Sequence, residues 1–218
     1  MKKRFILVLT SLIILLTACG TKQEVVEEQL VQETKYKTYD MQEEMKTNTI
    51  KDGKIQVLTS VITLPIKYSD LKKETELTIN STFTRKVDES TIMQPQEEQK
   101  IYLTSNNTDI IAVTVKNREE KNLKVLGECD IIGIDVSRTT SQELNESLYG
   151  LVYSPYGITY GDNFDIVEKK LEDIEITPIH TRNTTTDTMY YKDGNYTLTF
   201  FYDSETKEIV QIIYKIND

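Results

Sequence analysis

Asp187–Ile216 reads "DTMYYKDGNYTLTFFYDSETKEIVQIIYKI". Two turns divide it. Asp193-Gly194 stands between strand-like runs, a strong short-range hairpin signal. Ser204–Lys207 forms the second polar break, so the stretch predicts a three-strand antiparallel meander. Successive side chains of a strand point to opposite faces. Tyr196, Leu198, Phe200 and Tyr202 therefore share one side of the middle strand, against Thr197, Thr199 and Phe201. Val210, Ile212, Tyr214 and Ile216 share one side of the last strand. Leu198, Phe200, Val210, Ile212 and Tyr214 put five large apolar side chains on one side of the hairpin. They require a helix over them. Phe201 and Ile213, on the other side, are too apolar for a wholly solvated face. They are expected to be covered by the rest of the chain or offered to a partner.

The helix is supplied upstream by "GITYGDNFDIVEKKLEDIEITP", Gly157–Pro178. Gly161 makes the turn, Asp162 is expected to cap, and Asp165 sits near the positive helix end. Phe164, Val167 and Leu171 form its apolar stripe. The same unit is legible earlier. Ile62–Glu74, "ITLPIKYSDLKKE", aligns without gaps on Ile158–Lys170, "ITYGDNFDIVEKK", at an offset of 96 residues. Ile62 meets Ile158, Thr63 meets Thr159, Tyr68 meets Phe164, Leu71 meets Val167 and Lys73 meets Lys169. "KIQVLTSVITLP" precedes the first copy and reads as one strand closed by Pro65. The first helix, in "YSDLKKETEL", takes Ser69 or Asp70 as cap. "KIYLTSN", "DIIAVTVKN" and "ECDIIGIDVS" follow as a second meander. Ile111, Val113 and Val115 share a face. In the last strand Ile132, Ile134 and Val136 are expected on the core side and Cys129, Ile131, Gly133 and Asp135 opposite.

The expected fold class is therefore α+β: two small modules, each a short helix packed on an antiparallel three- to four-stranded sheet. The first covers residues 51–140 and the second 141–218. Gly161, Asp162 and Val167 at the helix start, Leu198 and Phe200 in an aromatic Leu-x-Phe strand, and Tyr214 near the end resemble the small modules of the β-lactamase-inhibitor-like superfamily, which includes the BamE/SmpA-like lipoproteins. The match covers Ile158–Lys215 well and Lys54–Ser137 loosely. The superfamily usually has Leu-Gly-x-Pro after the helix, where this chain has Leu171-Glu172-Asp173 and a late Pro178. The whole chain is similar to tandem-module surface lipoproteins of Firmicutes. The resemblance implies a binding role and carries over no catalytic residue.

The N-terminal region reads independently. Lys2, Lys3 and Arg4 precede an uncharged run, Phe5–Leu16. As a helix that run spans about 18 Å at ~1.5 Å per residue, against about 30 Å of bilayer core. A basic start, a short apolar run and a small-residue exit make residues 1–18 an expected signal peptide. Leu16-Thr17-Ala18-Cys19 resembles the bacterial lipobox, which makes Cys19 the lipidated first residue of the mature chain and the membrane, through that lipid, a partner. Residues 19–50, rich in Gln, Glu, Lys and Thr, are expected to be a solvated tether; a docked N-terminal helix through Val25, Val26, Leu30 and Val31 is the alternative. Gly20 rather than Asp follows the cysteine, unlike an inner-membrane retention signal. The Lys- and Ile-rich, Trp-free composition favours a low-GC Gram-positive host, with the anchor on the outer face of its membrane.

Composition narrows the function classes. The formal net charge of −9 opposes nucleic acid or anionic lipid as a partner. With Cys19 lipidated, Cys129 has no disulfide partner, and its place in a strand suits a buried small hydrophobe. His180 is the one histidine. "YGDNFD" lacks the ligand spacing of a calcium loop, and no phosphate loop, nucleophile elbow, zinc or dinucleotide fingerprint occurs. No metal site and no cofactor are expected. Nine of the 13 tyrosines fall in the last 70 residues. Tyr suits a half-buried pleated face, and it equally suits a recognition surface. Tyr149, Tyr153 and Tyr156, in "LYGLVYSPYG", and Phe201 and Ile213 are the candidate interaction residues. The reading is a lipid-anchored extracytoplasmic module that binds a protein or cell-wall component without catalysis. A cell-wall-active enzyme and a solute-binding lipoprotein are the alternatives.

Overall fold

A computed structural model describes residues 39–84, 86–105, 109–137, 146, 148–172, 179–182 and 186–217. The signal segment, Cys19 and the tether up to residue 38 lie outside the described residues. From Tyr39 to Asn217 the chain is one compact unit, and it is α+β with antiparallel strand pairing throughout.

The body begins earlier than the composition suggests. The tether expected over 19–50 gives way before its end to a short helix, α1 (Glu43–Thr47), with Met45 fully buried. Ile50 is fully buried in the turn that follows, and Asn48 is nearly so. The buried Gln56 side chain holds this segment: Oε1 accepts from Gln42 N at 2.9 Å, and Nε2 donates to Asp40 O at 2.9 Å. Met45 and Ile50, five residues apart among mostly polar neighbours, do not show as a hydrophobic period.

The stretch read as one strand is a hairpin, β1 (Lys54–Val57) and β2 (Ser60–Thr63). Leu58 takes a left-handed conformation, φ 54°, and donates its N–H to Leu151 O at 2.9 Å. That long-range bond sets a turn that no Gly or Asn announces. β3 (Ile66–Lys67) then leads into α2 (Tyr68–Thr75). Neither Ser69 nor Asp70 caps it: the cap is Lys67, without a side-chain bond, and Tyr68 N donates to Cys129 O at 3.0 Å. β4 (Thr78–Ile79) and β5 (Ile92–Met93) precede the long strands β6 (Glu98–Ser105) and β7 (Asp109–Lys116), then β8 (Lys124–Val125) and β9 (Asp130–Ser137).

The second half repeats this order with β10 (Val152–Ser154), β11 (Ile158–Thr159), α3 (Phe164–Leu171), β12 (Ile179–Arg182), β13 (Thr186–Asp193), β14 (Tyr196–Asp203) and β15 (Ile209–Ile216). The cap of α3 is Asn163, whose Oδ1 accepts from Asp165 N at 3.0 Å, rather than Asp162. Asp162 accepts from Thr159 N instead. α2 buries Tyr68, Leu71 and Thr75, and α3 buries Phe164, Val167 and Leu171. These are the same helix positions at the offset of 96.

The halves do not stand apart as two modules divided near residue 140. One nine-stranded sheet runs β12-β13-β14-β15-β9-β7-β6-β4, with β3 also on β9. The four strands of each half follow one another outward in matching order from a seam where β15 pairs β9, Ile212 opposite Val136 and Tyr214 opposite Ile134. A four-stranded sheet repeats the device: β11-β10 from the second half joins β1-β2 from the first. β9 is the central strand, and Ile131 through Val136 are all buried on it.

One face of the large sheet forms the core. Leu198, Phe200, Ile212, Tyr214, Ile134, Val113 and Ile101 lie on it in register, each at most 1% exposed. The helices and the smaller sheet share this cluster. Phe164 of α3 stacks on Tyr202 with ring centroids 3.8 Å apart. Tyr196 Oη donates to Leu64 O at 2.9 Å. Two bulges adjust the expected alternation. One between Phe201 and Tyr202 sets Ile209 opposite Tyr202, so Ile209 takes the inward place expected for Val210. The other, between Thr114 and Val115, sets Ile131 opposite Val115 and brings it into the core from the side where alternation had put it. Among the described residues no helix is long and apolar enough to cross a membrane.

Candidate binding face

The other face of the nine-stranded sheet has a different composition. Register fixes a row straight across six strands: Tyr190, Thr199, Ile213, Asp135, Ala112, Tyr102. A neighbouring row runs Thr188, Phe201, Gln211, Ser137. Phe201, Ile213, Tyr190, Thr188 and Thr199 are half-buried. The buried sides of α2 and α3 belong to the core on the opposite face. An antiparallel sheet commonly keeps one face wet, but Phe201 and Ile213 are costly there.

The middle of the face is polar and internally bonded. Asp135, 8% exposed, accepts from Lys100 Nζ at 2.7 Å and from Gln211 Nε2 at 2.9 Å. Lys215 reaches Glu98 at 3.1 Å, and Lys116 reaches the same carboxylate at 3.5 Å. Lys215 starts three strands away from β6, with β9 and β7 between. Its stem crosses Gly133, where a Cβ would lie 3.2 Å from Lys215 Cγ. Glycine therefore keeps the path open for this cross-strand pair. Sequence alternation already put Asp135 outside the core; it could not show which lysine and glutamine, 35 and 76 residues away, would meet it.

The five candidate interaction residues separate. Phe201 and Ile213 lie on this face. Tyr149, Tyr153 and Tyr156 pack around β10 and β11. Tyr149 meets Tyr160 edge-on with centroids 5.5 Å apart. It also covers Gly161, whose φ of +84° and missing Cβ leave the ring its place. Tyr153 Oη donates to Tyr39 O at 2.9 Å. Tyr156 packs against the core, and burial pushes its hydroxyl pKa up. All three rings are half-buried, as Phe201 and Ile213 are, and each also makes a packing or hydrogen-bonding contact within the fold.

The remaining chemical candidates have structural occupations. Cys129 is fully buried; its Sγ donates to Val125 O at 3.4 Å, and burial pushes the thiol pKa up. That opposes thiolate chemistry. His180 lies in β12 with its side chain outside the described residues. A cleft of about 410 Å³ is lined by Arg118, Glu119, Lys121, Lys124 and Asp130. Its Lys124 pairs with Glu119 at 3.0 Å, which holds that carboxyl below its usual range. Among the described residues no three His, Cys, Asp or Glu converge as a metal site.

Asp162 is the carboxylate raised by burial, against the lowering effect of the Thr159 N–H and of Lys170. It does not line the cleft. Its folded-state pKa lies above the unfolded value, so its contribution to stability is present below the ordinary Asp pKa. That contribution is lost as pH rises through the raised value. Asp162→Asn keeps an acceptor for Thr159 N and removes the charge. It is expected to raise the thermal midpoint at neutral pH, with the gain disappearing in acid. A gain independent of pH, read by calorimetry at several pH values, contradicts the assignment.

Comparison with protein-family models, with curated proteins and with solved structures gave no match.

Proposed function

We propose that the protein is a lipid-anchored binding module of the cell envelope, held outside the membrane by Cys19. It engages a protein or cell-wall component through the open face of the nine-stranded sheet, without catalysis. The observation that carries this reading is the half-buried Phe201 and Ile213 beside the bonded Lys100–Asp135–Gln211 group. Apolar side chains retained on a wet face mark contact surfaces. The lipobox-like Leu16–Cys19 and the basic n-region support the anchor. The matched helix burial and the matching strand order support descent of both halves from one β-lactamase-inhibitor-like, BamE/SmpA-like unit. Asp162, the half-buried carboxylate of raised pKa that an enzyme reading would want in a cleft, instead bonds the turn before α3.

The test is retention on isolated envelope. Purified protein carrying Phe201→Glu and Ile213→Glu is expected to lose most of its retention on envelope fractions while its thermal midpoint stays within a few degrees of the parent. Undiminished retention overturns the assignment of this face.

A further inference from the structure

We infer that the partner of this face is an uncharged, hydroxyl-rich linear polymer, a glycan chain, lying across the β9–β15 seam with a ring platform at each end. The inference rests on the open face being the contact surface. Three features carry it.

The first is charge. In a chain of net −9 the centre of this face is balanced. Lys100 is matched by Asp135, Lys116 and Lys215 share Glu98, and Asp130, opposite Lys116 in register, pairs with Arg118 at 3.9 Å. Such a band offers no field to a polyanion or a polycation. It does present fixed carboxylate, amide and ammonium groups at which hydroxyls can donate and accept.

The second is the distribution of apolar groups. Protein–protein interfaces place aromatic anchors at a charge-depleted centre inside a polar rim. This face is the reverse. Its charges are central, with the aliphatic Ile213 beside them, and its rings stand at the two ends of the row, Tyr190 on β13 and Tyr102 on β6. Phe201 is diagonal to Tyr190, and Phe83, 49% exposed, packs on Tyr102 with centroids 5.8 Å apart. The apolar faces of sugar rings stack on aromatic side chains, and their hydroxyls suit the band between.

The third is repetition. Tyr102 and Tyr190 each stand on the third strand outward from the seam, five strand spacings apart, or about 24 Å at ~4.8 Å each. Two equivalent platforms at a fixed distance suit a partner that itself repeats. Binding both at once multiplies affinity over binding one.

The experiment is calorimetric titration of the full-length chain with a linear N-acetylglucosamine hexamer, its dimer, and polyphosphate. The hexamer is expected to bind at least about tenfold more tightly than the dimer. Tyr102→Ala and Tyr190→Ala are each expected to weaken it by about tenfold, the loss of roughly one stacking contact. Phe83→Ala, at an exposed ring, is expected to weaken it severalfold with the thermal midpoint unchanged. No binding of the hexamer, equal affinity for dimer and hexamer, hexamer affinity unchanged in the tyrosine variants, or preference for polyphosphate overturns the inference. If the hexamer fails while Phe201→Glu, Ile213→Glu still abolishes envelope retention, the glycan is wrong and the face stands. If retention is also unaffected, both fall.

Discussion

Phe200→Ala is expected to lower the unfolding free energy by about 3–5 kcal/mol. Phe200 is fully buried in β14. It stands opposite Met189 on one neighbour and Ile212 on the other, and Tyr191 meets it edge-on with centroids 6.3 Å apart. These neighbours are held in the two strands hydrogen-bonded to β14, so the cavity left by the ring cannot fully collapse. Phe201, one residue on, points the other way and is only half-buried. Phe201→Ala is therefore expected to cost about 1 kcal/mol, as a partly buried ring that leaves no closed cavity. Urea unfolding of both variants, read at constant m-value, measures the contrast. Equal costs contradict the two-sided assignment of β14.

Cys19→Ala is expected to move the protein from the membrane fraction to the medium or periplasm and to abolish lipid labelling. The change should be close to all-or-none. Acyl chains contribute about 0.8 kcal/mol per buried CH₂, and the acidic body adds little attraction to an anionic surface. Fractionation and labelling of cells expressing the variant decide it. An alanine variant that stays in the membrane with its signal intact shows that Cys19 is not the anchor.

The parts of the fold that depend on local period were legible in the sequence. The alternation of Tyr196–Tyr202 against Thr197–Phe201 assigned the two faces of β14, and Leu71 and Val167 occupy equivalent places on α2 and α3. What the period could not show was pairing at a distance. β9 meets β15 across nearly 80 residues, Tyr214 opposite Ile134, and that seam merges the expected modules into one body. Turns fixed by tertiary bonds were equally hidden: Leu58 turns because its N–H finds Leu151 O. Of the candidate site, Phe201 and Ile213 were visible as misplaced apolar residues on a polar side. The intramolecular contacts of Tyr149, Tyr153 and Tyr156 were not legible, because an aromatic cluster has the same composition whether its rings face solvent or, like Tyr149, cover a glycine. The Lys100–Asp135–Gln211 group joins three strands and has no local signature.

The seam also dictates an order of events as the chain emerges from N-terminus to C-terminus. β9 is buried from Ile131 to Val136, and its second long neighbour, β15, is the last of the described strands. Until those final residues arrive, one edge of the most hydrophobic strand is an open template for pairing with another chain. Contacts of such sequence separation also form slowly. A chain cut short before Ile209 thus loses more than one strand. It is left with an unpaired edge at its centre, beside an uncovered core face of Ile131, Ile134 and Val136, and its expected fate is aggregation or proteolysis rather than a smaller working domain.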